Sequence, residues 1–595
     1  MPVTTSYPGV YLEETQLTSP SVTAATTSDT AFIGYFLKGP VNEAVKVTSL
    51  NQFNSMFGGL SESSECSYAV NQFFLNGGTT AWIVRIAPGF TPPPGKGDGE
   101  KQGEQAAPQG QGTEGGAGAH GAGKGKSTTK PAVSATATVA IGGSKKEGAE
   151  EAAAKPKSAS FDFSANSPGA WGNQLAVQVT PSGKLWNVAV AQASGTRSSV
   201  TETSGKYTTS KQTIWSTLET FYNVSLDPTD PQYIVTVINQ SSEYVTVSAT
   251  QSAGHDASTW LQLQSGVDGT WGTGTDAATA LTNALVYQLS TTPALDDIAP
   301  NHFNIMCLPE AALLPNNNQV AVYTPALEYC KNNQAFLIID PPPPETYEKT
   351  PGVPSYGTNW VDSVSKMVTW SAGWRNSDNY SGATYYPWLL VPDPLNNYNP
   401  RLVGPSGTLA GIYASTDLNR GVWKAPAGVD AVLQGTISLA DTLDDADSGT
   451  LNPLGINALR TLPIYGPVVW GARTLAGADE INTVFRYVDA RRLTDFIEQS
   501  LVQSLKWAVF EPNAPPLWAS ITLEVSAFMA QLFSEGAFQG TTAAQAYRVQ
   551  CDGNTTTQTD IENGVVNVIV AFAPVPPAEF VVLQIQVSAA QLGST

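Results

Sequence analysis

Three carboxylates in the middle of the chain sit where catalysis would use them. Glu310, Asp340 and Asp393 each follow a short apolar run that reads as a strand, at Asn304–Leu308, Phe336–Ile339 and Trp388–Val391. In an open parallel sheet the carboxyl ends of the strands are where ligands bind. Three acids converging there could hold Mg²⁺ and support a carboxylate-dependent metal enzyme. The plainer reading is that acids beside Pro309, Pro341–Pro344 and Pro392/Pro394 make strand-ending loops. Ser406 in Gly-Pro-Ser-Gly misses the nucleophile elbow, because position 408 is Thr and no His follows it. His120, His255 and His302 lack zinc-like spacing, and Asp441, Asp444, Asp445 and Asp447 lack calcium-loop spacing. Gly125-Lys126-Ser127 ends like a phosphate-binding loop, yet position 120 is His and no strand precedes it. The reading assigns no catalytic residue, metal or cofactor.

Arg486, Arg491, Arg492 and Lys506 gather positive charge on a chain that is otherwise acidic, with 30 basic and 50 acidic side chains and a net charge of −20. They read either as a solvated helix face paired with acids such as Asp489 and Asp495, or as a basic contact patch. The overall charge argues against nucleic-acid backbone binding, which needs a basic face. Cys66, Cys307, Cys330 and Cys551 form no CxxC pair and read as small buried apolar residues. The N-terminus shows neither a basic n-region nor an apolar h-region, and no run approaches the roughly 20 apolar residues of a membrane span. Folding in a cytoplasm is therefore expected.

At 595 residues the chain is long enough for about four domain-sized units. Residues 22–90 read as a compact α/β piece with a strand at Ala31–Phe36, helices at Leu50–Phe57 and Tyr68–Leu75, and a strand at Ala81–Ile86. Residues 91–160 collapse to Gly, Ala, Lys, Glu, Gln, Thr and Pro, a composition too poor in apolar groups to drive its own folding. Residues 161–300 read as an inserted β-rich α+β domain, with Ile234/Thr236/Ile238 as a strand and Asp276–Leu289 as a covering helix. Apolar strands then alternate with helices at Gln319–Asn332 and Val361–Trp370, which implies a parallel sheet covered on both faces. Two helical stripes follow: Leu493, Phe496, Ile497, Leu501 and Leu505, then Trp518, Ile521, Val525, Phe528, Met529 and Leu532, with Gly536 closing the second. A strand at Val565–Phe572 precedes the terminal segment.

Both termini read as extended. In Ala573–Val587, Val581, Leu583, Ile585 and Val587 alternate with Val582, Gln584 and Gln586, behind an approach held extended by Pro574, Pro576 and Pro577. At the other end Tyr7-Pro8-Gly9-Val10-Tyr11-Leu12 is extended and apolar. A terminal apolar strand either joins its own sheet or completes another chain's.

Ten stretches in order then resemble the contractile tail-sheath family of bacteriophages, R-type pyocins and extracellular contractile injection particles. They are YPGVYLEE (7–14), FFLNGGTTAWIVRI (73–86), SPGAWGNQL (167–175), YYPWLLVPDP (385–394), GPSGTLAGIYASTDLNRGVWKAPAG (404–428), LNPLGINALR (451–460), VWGARTL (469–475), YVDARRLTDFIEQSL (487–501), FEPN (510–513) and PAEF (577–580). The 91–160 segment does not fit the family pattern. The resemblance implies a non-enzymatic structural subunit that polymerises as stacked six-fold rings around an inner tube. It also implies contraction that drives the tube through a target envelope, with baseplate and tail-terminator partners. Such particles are assembled in the cytoplasm of a producing bacterium and then form part of a phage tail or an injection particle.

The resulting expectation is an α/β and α+β multidomain chain: an N-terminal arm (1–21), the first part of a parallel-sheet α/β sheath core (22–90), the low-complexity insertion (91–160), the β-rich domain (161–300), the α/β sheath domain (301–480), a C-terminal tube-facing domain (481–572) and an arm strand (573–595). Tyr7, Val10, Tyr11, Leu12, Phe580, Val581, Leu583 and Ile585 are the expected inter-subunit arm contacts. Arg486, Arg491, Arg492 and Lys506 are the expected tube-facing patch. A static shell protein is the remaining structural alternative.

Overall fold

The computed structural model describes residues 22–89, 130–141, 159–203, 206–272, 274–291, 293–300, 302–349, 359–481 and 483–580. Its first strand, β1 (Thr30–Tyr35), is buried along its whole length. Alternate side chains explain why: Ala31 and Ile33 enter one apolar cluster, and Phe32 enters another on the opposite face. β2 (Ala44–Val47), α1 (Leu50–Phe57), α2 (Glu65–Leu75) and β3 (Ala81–Ile86) complete this piece. Ser49 caps α1 by accepting from the Gln52 N–H, and Gly58 ends it at φ +91°. α2 starts earlier than the apolar run suggested because Ser64 accepts the Ser67 N–H as its N-cap.

Next comes the β-rich body. Its strands are β4 (Thr136–Ile141), β5 (Ala159–Ala165), β6 (Leu175–Ser182), β7 (Leu185–Thr203), β8 (Lys206–Val224), β9 (Val245–Thr250), β10 (His255–Asp256) and β11 (Leu261–Gln262), with helix α3 at Ile234–Ser241. They form two four-stranded sheets, ordered β10-β4-β5-β9 and β11-β6-β7-β8, whose facing side chains share one cluster around Phe161, Phe163, Val188 and Val190. Two expectations are corrected here. Ile234–Ser241 is a helix, since Ile234 and Ile238 lie one turn apart and are both buried. Thr136–Ile141, inside the segment read as low-complexity, is a strand paired along its length with β5, an alternation that the composition of its surroundings hid.

The chain continues through α4 (Gly274–Val286), β12 (Ile305–Cys307), α5 (Asn316–Asn332), β13 (Phe336–Ile339), α6 (Val364–Ser371), β14 (Gly382–Tyr386), β15 (Leu389–Asp393), β16 (Asn399–Val403), α7 (Ser406–Arg420), β17 (Ser438–Leu439), α8 (Asp445–Leu451), β18 (Ile456–Leu462) and β19 (Gly466–Val469). Eight strands form the central sheet in the order β19-β18-β14-β13-β12-β1-β3-β2. Its six inner strands are parallel, and β19 and β2 are antiparallel edges. α4 places Ala277, Leu281 and Leu285 on this sheet with Ile33 and Val84, so it does not cover the β-rich body as expected. The run at Trp388–Val391 is also not a strand of the parallel sheet. Leu389–Val391 belong to β15, which pairs antiparallel with β16 and β17, and Trp388 precedes it. The parallel strand there is β14, Gly-Ala-Thr-Tyr-Tyr, whose glycine and hydroxyls hide it from an apolarity search.

The C-terminal unit holds α9 (Val488–Ser504), α10 (Pro515–Ser534), α11 (Ala543–Ala546), β20 (Tyr547–Gln550), α12 (Gln558–Glu562) and β21 (Ile569–Phe572). The expected stripes pack against each other, with Leu493, Phe496 and Ile497 meeting Trp518, Ile521, Val525, Phe528, Met529 and Leu532. Gly536, at φ +88°, ends α10, and the Ala537 N–H returns to the Leu532 carbonyl. By length and composition α10 alone among the described helices could cross a membrane, which corrects the expectation that no run is long enough. Its apolar stripe, however, is buried in this core and includes Glu524. β21 pairs antiparallel with β20.

Candidate functional site

The three acids singled out by sequence lie in separate hydrogen-bonded niches. Glu310 Oε1 accepts the N–H groups of Tyr35 (3.2 Å) and Cys66 (3.0 Å), joining the end of β1 to the start of α2. Burial pushes its carboxyl up to about 8 against the lowering effect of those donors, and Oε2 has no hydrogen-bond partner. Asp340 accepts from the Ser406 N–H (2.7 Å) and hydroxyl (2.5 Å), sitting at the N-terminus of α7 where the helix field favours an anion. Burial nevertheless carries it to about 7. Asp393 belongs to β15 and accepts from the Tyr68 hydroxyl (2.8 Å) and the Leu395 N–H (2.9 Å). Each carboxylate thus ties chain segments together. Among the described residues no group of three or more His, Cys, Asp and Glu side chains is placed to hold a metal ion. Ser406 is wholly buried against Asp340. Asp444 and Asp447 form a capping box on α8 rather than an ion loop.

Sequence reasoning missed the ion pair at the centre of this region. The Arg401 guanidinium meets Glu65 at 2.5 Å with both side chains 2 % exposed, and Tyr347 donates to the same Glu65 oxygen at 2.7 Å. Arg401 also lies over the Tyr68 ring, 4.1 Å from its centroid. Desolvation raises the Glu65 carboxyl despite Arg401. The available signal was a lone Arg in β16, directly before the apolar Leu402-Val403.

The expected basic patch does not form as a surface. The Arg492 side chain is 3 % exposed and pairs with buried Asp417 at 2.6 Å, while donating to the Thr27 carbonyl at 2.8 Å. Burial alone would weaken its charge, but Asp417 holds Arg492 above the ordinary guanidinium range. Arg491 is buried with Asp495, stacks over Tyr380 and Phe485, and reaches Glu498 at 3.7 Å. The alternative of a solvated face fails for the same reason, since Asp489 and Asp495 are also buried. A period-3.6 helix with apolar residues on one face gives no warning that its arginines turn inward too. Of the four, only Arg486, partly exposed and paired with Asp479 at 3.2 Å, and exposed Lys506 reach solvent.

Tyr7, Val10, Tyr11, Leu12, Val581, Leu583 and Ile585 lie outside the described residues. The roots of both terminal segments are described. Thr23 and Ala25 donate backbone N–H groups to Ser504 (2.9 Å) and Ser500 (3.0 Å) on α9, and Val22 and Ala25 join the C-terminal core. At the other end Pro574 bridges Phe538, and the Gln539 N–H donates to the Ala573 carbonyl at 2.8 Å. Phe580 is 76 % exposed. Both segments therefore pack on the C-terminal unit at their roots.

A buried parallel-sheet core, a β-rich body and a C-terminal helical unit on which both terminal segments pack define a mixed α/β multidomain chain. Residues 275–475 match the family described as phage tail sheath protein central domain, and residues 480–588 match the phage tail sheath C-terminal domain. Together these matches span just over half of the chain, which belongs to the phage tail sheath family. It is 27 % identical over 196 residues to the tail sheath protein of Vibrio phage KVP40, covering 30 % of this chain and 28 % of that one. It is 26 % identical over 256 residues to the tail sheath protein of Enterobacteria phage T4, covering 41 % and 35 %. A putative prophage major tail sheath protein of Pseudomonas aeruginosa matches over 32 % of this chain and 48 % of its own length, so the chain spans less than half of each of these relatives. In fold it is similar to the contracted sheath complex of an extracellular contractile injection system, with TM-score 0.52, 18 % identity and 99 % of both chains covered. A chain of the anti-feeding prophage baseplate in the contracted state gives TM-score 0.55 at 18 % identity, over 99 % of this chain and 100 % of that one.

Proposed function

We propose that this protein is a structural subunit of a contractile tail sheath that polymerises as stacked six-fold rings around an inner tube. Contraction of that polymer drives the tube through a target envelope without chemistry at an active site. The observation that carries the reading is membership of the sheath family, supported by a likeness of fold along nearly the whole chain. The chain's own physics suits the role. Two terminal segments whose sequence reads as extended would exchange strands with neighbours, using main-chain hydrogen bonds for affinity and alternate side chains for register. Head-to-tail contacts whose rotation does not close build an open helix. Linked rigid subunits can then rotate between two packings.

The proposed partners are further copies of this chain through arm exchange, an inner tube protein, and baseplate and tail-terminator proteins, with no nucleic acid and no membrane span. Tyr7, Val10, Tyr11, Leu12, Phe580, Val581, Leu583 and Ile585 are the proposed arm contacts. Arg486 and Lys506, which reach solvent, are the proposed tube-facing basic groups. Assembly takes place in the producing bacterium's cytoplasm, and the product is part of a phage tail or an injection particle. Electron microscopy of the chain co-expressed with its tube protein tests the proposal. Hollow helical sleeves that shorten and widen on mild acid or denaturant are expected. Sleeves of fixed length would favour a static shell, and monomers under all conditions would refute assembly.

A further inference from the structure

Two of the stretches that carry the family resemblance meet at one buried guanidinium. Arg473, in VWGARTL, is 2 % exposed and receives Glu579, in PAEF, as a two-point ion pair. Nε donates to Oε1 at 2.8 Å and Nη2 to Oε2 at 2.6 Å, the fork geometry that fixes direction as well as distance. Nη1 is held from the other side by Asp479 (2.8 Å) and the carbonyls of Asn452 (3.0 Å) and Gly477 (3.3 Å). Tyr487 adds its hydroxyl to Glu579 Oε2 at 3.3 Å. The backbone of Arg473 is itself locked. Asn457, wholly buried on β18, accepts the Arg473 N–H and donates to its carbonyl, both at 2.7 Å. An unbroken chain of strong hydrogen bonds therefore runs from the central sheet to Glu579. Glu579 lies beyond the last described strand, β21, and next to exposed Phe580.

We infer that Arg473 is the anchor that holds the C-terminal arm to its own subunit while the segment after Phe580, whose sequence alternates as a strand would, is lent to a second copy of this chain. The inference rests on the arm-exchange reading and adds where the load enters. Tension on the arm passes through Glu579 and Arg473 into β18 of the central sheet, and bypasses the small β20/β21 sheet of the C-terminal unit. Without the anchor, the tether would run back to the Phe538–Pro574 bridge on the C-terminal unit. The arm would then have a longer and looser reach. A tether longer than its span lowers the effective concentration of the strand at its acceptor.

The test pairs Glu579→Gln with a chain ending at residue 580. Glu579 is partly exposed, so its substitution leaves the packed core intact, which an unchanged circular dichroism spectrum and melting midpoint verify. Ala578 is exposed, and the four native cysteines are buried, so Ala578→Cys takes a nitroxide label selectively. With Glu579 present the label is expected to be immobilised. In Glu579→Gln the immobilised component is lost, and assembly with the tube protein needs roughly 10- to 100-fold more subunit, the range expected for losing charge-assisted hydrogen bonds. An immobilised label in Glu579→Gln, or assembly at unchanged concentration, overturns the anchor. Normal assembly of the truncated chain refutes arm exchange itself, and with it the anchor's role. Failed assembly of the truncated chain beside normal assembly of Glu579→Gln refutes the anchor alone.

Discussion

Glu310 is the sharpest place to test how burial governs this fold. Its carboxyl moves from 4.5 to about 8 because desolvation outweighs the two N–H groups it accepts. A carboxyl whose value is raised on folding stabilises fully below its unfolded value, and that contribution is lost as pH rises through its folded value. The window is therefore about pH 4.5 to 8. At about 1.4 kcal/mol per pH unit, that window corresponds to about 5 kcal/mol between its ends. In Glu310→Gln the carbonyl oxygen still accepts from Tyr35 and Cys66, the volume is unchanged and no charge forms at any pH. The variant is expected to match the parent near pH 5 and to exceed it near pH 8. The assay is urea unfolding at half-unit steps from pH 5 to 8, with hydrogen exchange of the Tyr35 and Cys66 amides corrected for intrinsic rates. Asp340, Asp489 and Asp495, each carried to about 7 by burial, give both proteins a common falling background. Parallel pH profiles for parent and variant would refute the argument, since they would mean that Glu310 is charged, or equally solvated, in the folded chain.

Arg492→Met should cost about 3–5 kcal/mol, because it strands buried Asp417, and adding Asp417→Leu should recover most of the loss, read from denaturant midpoints. Charge reversal at Arg491 and Arg492 should destabilise the C-terminal unit, whereas reversal at Arg486 and Lys506 should leave stability unchanged and weaken binding to the tube protein in a pull-down. Gly407→Ala should lose about 1–3 kcal/mol by thermal melting, because a methyl group there would press on the Ala69 backbone where α7 crosses α2. Removing residues 1–15 should abolish sleeves in electron micrographs while the monomer keeps its circular dichroism; intact sleeves would count against N-terminal arm exchange.

Elements with a strong single period were legible in the sequence. The α10 stripe from Trp518 to Leu532 is buried residue for residue, and β13 needs no context beyond Phe-Leu-Ile-Ile. What stayed hidden depends on partners far away in the chain. β14 carries Gly382 and Thr384 because its neighbours, and not its own apolarity, cover it. Ile234–Ser241 satisfies both a strand and a helix pattern, and only its packing against β9 decides. The carboxylates were found at Glu310 and Asp340, but their chemistry was not. A sequence shows an acid after a strand, yet it does not show whether N–H groups from residues 35, 66 and 406 have already occupied it.

Three of the ion pairs share one pattern that bears on how such a subunit could move. Arg401–Glu65 joins β16 to α2, Arg492–Asp417 joins α9 to α7 with the Thr27 carbonyl beside it, and Arg473–Glu579 joins the central sheet to the C-terminal segment. Each pair links segments distant in sequence. Separating a buried ion pair such as Arg401–Glu65 or Arg492–Asp417 leaves uncompensated charge and costs about 3–5 kcal/mol. Pairs placed at these junctions therefore set a steep energy against relative motion of the elements inside one subunit. For a protein proposed to transmit force between neighbours, that resistance matters: strain absorbed inside the subunit would be strain withheld from the tube. A subunit with the Arg401–Glu65 and Arg492–Asp417 pairs replaced by matched apolar residues should fold, and should lose stiffness before it loses stability, which force spectroscopy of assembled sleeves would register as a softer response at an unchanged melting midpoint.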